Sequence, residues 1–172
     1  MYDPALWHDY FLTVGIGAAA LTGLVFVAMS MHLDEISSDL RHRHRARTIL
    51  AGLTAVFIRC ALVLMGGQSG QAVALEIIAV LAVVEVILYR SIREALATAR
   101  SQPSLLVRTL AAFFCLIVEQ MGAAFLLADQ PRGLYVVGLG MMSSFVVMVS
   151  GAWLLLVGVS PGSASRQNRS IA

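Results

Sequence analysis

Residues 72–89 read AVALEIIAVLAVVEVILY, and whether they cross a membrane decides the architecture of the whole chain. The stretch is near the lower limit of length, since a helix rising ~1.5 Å per residue needs about 20 residues to cross a hydrocarbon core of ~30 Å. It also carries two carboxylates, Glu76 and Glu85, which the bilayer disfavours. The arginines on either side settle the matter. Arg41, Arg43, Arg45 and Arg47 lie before it, and Arg90, Arg93, Arg100 and Arg108 follow it. A re-entrant segment would put those two groups on opposite sides. A crossing segment puts them on one side with Arg166 and Arg169, leaving only Arg132 opposite. That shared side is the cytoplasmic one by the positive-inside rule. The stretch is therefore read as a span.

Working outward, four further apolar stretches have spanning length: Phe11–Leu33, Thr48–Met65, Leu105–Ala128 and Leu134–Gly158. The first and last contain no Asp, Glu, Lys or Arg. The expected fold is an all-α polytopic transmembrane bundle of five spans, with the N-terminus outside and the C-terminus in the cytoplasm. Residues 1–159 form the bundle, and the Ser-, Gly- and Arg-containing residues 160–172 are expected to be a mobile cytoplasmic tail. The outer connections, residues 66–71 and 129–133, are short and rich in turn formers, so spans two and three make one antiparallel hairpin and spans four and five another. Trp7, Tyr10 and Tyr135 fall near the outer boundary, where aromatic side chains belong.

Composition agrees. The chain is 59% hydrophobic and 13% charged, against about half and a quarter for soluble domains. One core of this size cannot hide that excess. All twelve basic residues are arginine, as the codon bias of a high-GC bacterium would produce. The net charge of +2 gives no reason to expect nucleic acid. Met1–Tyr10 lacks the positive n-region of a cleavable signal. Cys60 and Cys115 lie inside apolar segments and read as small hydrophobes rather than a disulfide. The expected location is the inner (plasma) membrane.

Lipid tails compete equally for apolar side chains, so helix contacts in membranes favour small residues. Span one offers Gly15, Ala19 and Gly23, and span five Gly140, Ser144, Gly151 and Gly158. Span two places Gly52, Arg59 and Gly66 on one face, and span four aligns Ala112, Cys115, Glu119, Gly122 and Ala123. These stripes are expected to face protein, either within one bundle or, on the charge-free spans one and five, in another copy of the chain.

Four ionisable residues lie within the spans: Arg59, Glu76, Glu85 and Glu119. Counted from the outer helix ends, Arg59 is ~10 Å deep, Glu76 ~7 Å and Glu119 ~14 Å, one layer that side chains can bridge. Arg59 is expected to pair with Glu119 or Glu76, either as a structural ion pair or as a proton or cation site with a spare carboxylate. Glu85 sits about half a turn around the helix from Glu76 and is expected to snorkel to the inner boundary. The basic cluster Arg41, Arg43, Arg45 and Arg47 is expected to attract anionic head groups on the cytoplasmic face. His42 and His44 with His32, Asp34 and Glu35 do not suggest a metal site, because four arginines would repel a cation.

No catalytic signature stands out. Gly67-Gln68-Ser69-Gly70 resembles the nucleophile motif of rhomboid intramembrane proteases, but that family needs a later histidine and none follows His44. Zincin, Walker A and dinucleotide motifs do not occur, and no cofactor is implied. Trp7-His8 followed by Ala19-Ala20-Leu21-Thr22-Gly23-Leu24-Val25-Phe26-Val27-Ala28 resembles the opening of small uncharacterised multi-span membrane proteins of high-GC bacteria. That resemblance covers about the first thirty residues and implies no activity or site. The expected function is a non-enzymatic membrane protein acting through helix or lipid contacts. The alternative is a small oligomeric proton or cation channel or transporter subunit using the Arg59, Glu76 and Glu119 layer.

Overall fold

The computed structural model describes residues 4–32, 40–98, 103–130 and 132–159. The expected tail at 160–172 lies outside them, as do Arg100, Arg166 and Arg169. A 3₁₀ turn, Pro4–Trp7, leads into five helices: α1 (His8–Met31), α2 (Leu40–Leu64), α3 (Gly70–Thr98), α4 (Pro103–Leu127) and α5 (Gly133–Val159). All five are long and apolar enough to cross a membrane. They differ from the expected spans mainly on the arginine-rich side, where α2 begins eight residues before Thr48 and α3 runs on to Thr98. The arginines there are thus helical, which their high helix propensity allows.

The helix ends have local causes. Ser69 caps α3, its hydroxyl accepting the Ala72 N–H at 3.2 Å. Gly67, at φ 81°, makes the left-handed turn between α2 and α3. Pro103 opens α4, where its missing N–H is harmless. At the far end of α4, Asp129 takes φ 58°, its N–H bonds the Leu126 carbonyl at 3.1 Å, and the Gln130 N–H bonds Phe125 at 2.9 Å. This pair of bonds is the Schellman arrangement, and it reverses the chain tightly into α5.

The α4–α5 contact is the most extensive, followed by α1–α2, while α2 also touches α3 and α5. Glycine explains the first. A Cβ on Gly122 would lie 2.5 Å from the Val137 backbone nitrogen, and one on Gly133 2.6 Å from that of Leu126. The two backbones meet there with no side chain between them. The face expected on α4 is buried throughout, from Ala112 and Cys115 to Glu119, Gly122 and Ala123. Trp7 meets both Tyr10 and Tyr135, and the Tyr10 hydroxyl donates to the Gly138 carbonyl at 2.6 Å, fastening the start of α1 to α5.

Two expected stripes do not act as single packing faces. Gly15 is tight against Cys60, but Ala19 is exposed and Gly23 faces open space. Steps of four residues advance about 40° each, so by Gly23 the stripe has turned about 80° away from α2. The buried line on α1 instead follows Phe11, Val14, Ala18, Val25 and Met29. In span two, Gly52 packs against Met148, whereas Gly66 lies beyond the end of α2 with nothing near it.

Large apolar side chains cover the outside: Leu24, Phe26, Phe114 and Trp153 are each more than 60% exposed. A surface of this kind suits lipid and would aggregate in water.

Candidate functional site

The polar centre of the bundle is built from three helices. Arg59 projects from α2, Glu119 from α4 and Ser144 from α5, and all three are buried. Arg59 and Glu119 form an ion pair through Nη1 and Oε2. The Ser144 hydroxyl donates to the other carboxylate oxygen, Oε1, at 2.5 Å. Arg59 Nε donates to the Ala55 carbonyl one turn back, at 3.0 Å. A charge in hydrocarbon needs partners of this kind, because an unmatched one leaves its full desolvation cost in place.

Glycine again makes the arrangement possible. Gly140 stands directly against the Glu119 side chain, and a Cβ there would overlap its Cγ. The small residues of α5 thus create room for the carboxylate as well as for the helix. Beside the pair, a void of ≈ 20 Å³ touches Arg59 and Ser144, enough for about one water.

Glu76 is not brought into this centre. It is half-buried and accepts from Gln68 Nε2 at 3.0 and 3.1 Å. It lies within two turns of the start of α3, so the nearest donor is the amide in the preceding turn. Glu85 does not reach for Arg90 or Arg93 either. Gln120 Nε2 of α4 donates to it at 3.2 Å, so the carboxylate finds a partner inside the bundle. Gln68 and Gln120 were not singled out from the sequence. Gln120 carried a signal all the same, being an uncharged polar residue next to Glu119 in an otherwise apolar span.

The basic cluster is not uniform. Arg43 and Arg47 are exposed, but Arg45 turns inward and its Nη2 donates to the Gly151 carbonyl of α5 at 3.2 Å. The side chain of Arg41 lies outside the described residues. Gly151 and Ser144 are both buried on the inner face of α5.

A second feature lies along α2 and shares Ala51, Val84 and Ile87 with the void. A groove of ≈ 870 Å³ runs along this helix, with α1 and α3 as its walls. Met29, Leu50, Ile58, Val83 and Ile87 line it, and Arg47 stands at its end. No known protein family, curated protein or solved structure matches the chain.

Proposed function

We propose that the protein is a non-enzymatic, multi-pass protein of a bacterial inner membrane that acts through its lipid-facing surface and helix contacts. The observation that carries this reading is that each charged side chain within the spans has a partner inside the chain. Arg59, Glu119 and Ser144 satisfy one another, Glu76 is held by Gln68, and Glu85 by Gln120. Large apolar side chains remain open on the described surface, and the exposed arginines other than Arg132 gather at one end. The arginine distribution favours N-out, C-in, and the resemblance of the first span supports a bacterial membrane.

The alternative, proton or cation passage, would have to run through Arg59 and Glu119, beside which there is room for about one water. Purified protein in liposomes distinguishes the two. Proton and cation flux should not exceed that of protein-free vesicles. Flux that disappears in Arg59→Leu would replace this reading with the transport one. Orientation is tested separately: cysteine at Ser69 should react with an impermeant reagent added outside the cell and cysteine at Ser101 should not. The reverse pattern would invert the topology.

A further inference from the structure

The groove over α2 has one chemistry along its length and another at its mouth. Its walls are aliphatic or aromatic except for the hydroxyls of Ser30 and Thr54, and the Ser30 hydroxyl already donates to Val27 at 2.7 Å. A sugar, nucleotide or peptide backbone would find almost no partners there. A hydrocarbon chain would lose nothing by entering.

The mouth is cationic. Arg47 lines the groove directly. Arg43 lies one turn earlier on the same face of α2, since residues four apart are neighbours on a helix. Arg90 lies three residues after Ile87, a wall residue of α3, and so is likewise its neighbour on the helix. Counted from the hairpin turn, Arg47 and Ile87 stand at one level, and Arg43 and Arg90 lie about one turn further toward the arginine-rich side. All three arginines are exposed. Among the residues whose side chains are described, no carboxylate pairs with any of them.

We propose that this groove is a discrete binding site for one anionic glycerophospholipid, with an acyl chain against Met29, Ile58, Val83 and Ile87 and the phosphate among Arg43, Arg47 and Arg90. The inference rests on the lipid-facing reading above and makes it specific. A zwitterionic lipid would fill the groove without neutralising the mouth. A second copy of the chain, set parallel as both copies must be in one membrane, would bring its own arginines to the same level. Like charges would then face one another with nothing between them.

The test uses the full-length protein, stripped of lipid in a non-ionic detergent. It is titrated with dioleoyl phosphatidylglycerol, dioleoyl phosphatidylcholine or inorganic phosphate, while native mass spectrometry counts bound molecules and thermal melting follows stability. One phosphatidylglycerol should bind tightly per chain, phosphatidylcholine about tenfold or more weakly, and phosphate alone should leave the melting temperature unchanged. Arg47→Gln with Arg90→Gln should weaken phosphatidylglycerol by about fivefold per guanidinium and leave phosphatidylcholine unaffected. Val83→Trp, at an exposed wall position, should weaken both lipids by occupying the groove while the lipid-free melting temperature stays at the wild-type value. Phosphatidylglycerol binding that ignores Val83→Trp would reduce the site to surface electrostatics. Equal binding of the two lipids would remove the role of the arginines, and phosphate alone acting as well as the lipid would remove that of the groove. A lipid-free dimer broken by Val83→Trp would give the groove to a second copy. Ion flux would overturn the functional reading and leave these results untouched, so the two failures are distinguishable.

Discussion

The two hairpins of the bundle are alike in plan and opposite in packing. Both α2–α3 and α4–α5 are antiparallel pairs joined by short turns, and both contain carboxylates. In α4–α5, Gly122, Gly133 and Gly140 let one backbone rest on the other. Along the outer side of α2–α3, Ile58, Val80, Val83 and Ile87 hold the surface open as a groove. Hydrophobicity cannot explain the difference, because lipid solvates valine as well as protein does. Side-chain volume can. In a bilayer, helices close where small residues permit and remain open to lipid where they do not.

The largest expected effect comes from the residue that ties the two hairpins together. Arg59→Leu leaves Glu119 charged and buried without its cation, a loss of about 3 to 5 kcal/mol. Yield and melting temperature should both fall, and Arg59→Leu with Glu119→Leu should recover much of the loss. Adding Glu76→Leu to Arg59→Leu should recover none. A double-mutant cycle measures the coupling, and strict additivity of Arg59 with Glu119 would break the assignment.

Next in size is Gly122→Leu, which forces a branched side chain between α4 and α5 and should cost about 1 to 3 kcal/mol or more. Gly23→Leu, on the open face of α1, should change the stability of a single chain by less than about 0.5 kcal/mol. Chemical or thermal unfolding in detergent compares them. Equal losses would mean that the glycine contacts do not set the packing. If Gly23→Leu lowers oligomeric mass without lowering stability, that face belongs to a contact between copies.

The smallest effect is expected at Ser144. Removing its hydroxyl with Ser144→Ala takes one hydrogen bond from Glu119 but leaves the ion pair. Hydrogen bonds between membrane helices contribute about 0.6 kcal/mol on average and at most ~1.7. A loss as large as that of Arg59→Leu would make Ser144, rather than Arg59, the main partner of the carboxylate.

Some of this site was legible in advance. Arg59 and Glu119 drew attention because charges inside apolar spans must find partners, and their depths matched. Glu76 matched equally well in depth, and nothing linear distinguished it. What separated the two carboxylates was rotation about the helix axis and the neighbour each met. Glu119 faces α5 at Gly140 and Ser144, while Glu76 lies within reach of Gln68. Within the chain, the stripe at Gly15, Ala19 and Gly23 divides for the same reason: Gly15 meets Cys60, while Ala19 and Gly23 stay on the open surface.

The sequence by itself determined that five helices are long and apolar enough to cross a membrane and where the two short turns between them lie. Spanning length, apolar composition and turn residues are local properties that need no partner to be read. The side favoured for the arginines also comes from the sequence, through their order between spans. The tertiary structure decided which polar groups meet, which glycines are in contact, and that Arg45 turns inward while Arg43 and Arg47 do not. It also decided that a groove remains beside α2. These outcomes depend on the azimuth and separation of helices far apart in the chain. In a bilayer, apolar stretches are solvated equally well on every side, so hydropathy says nothing about either one.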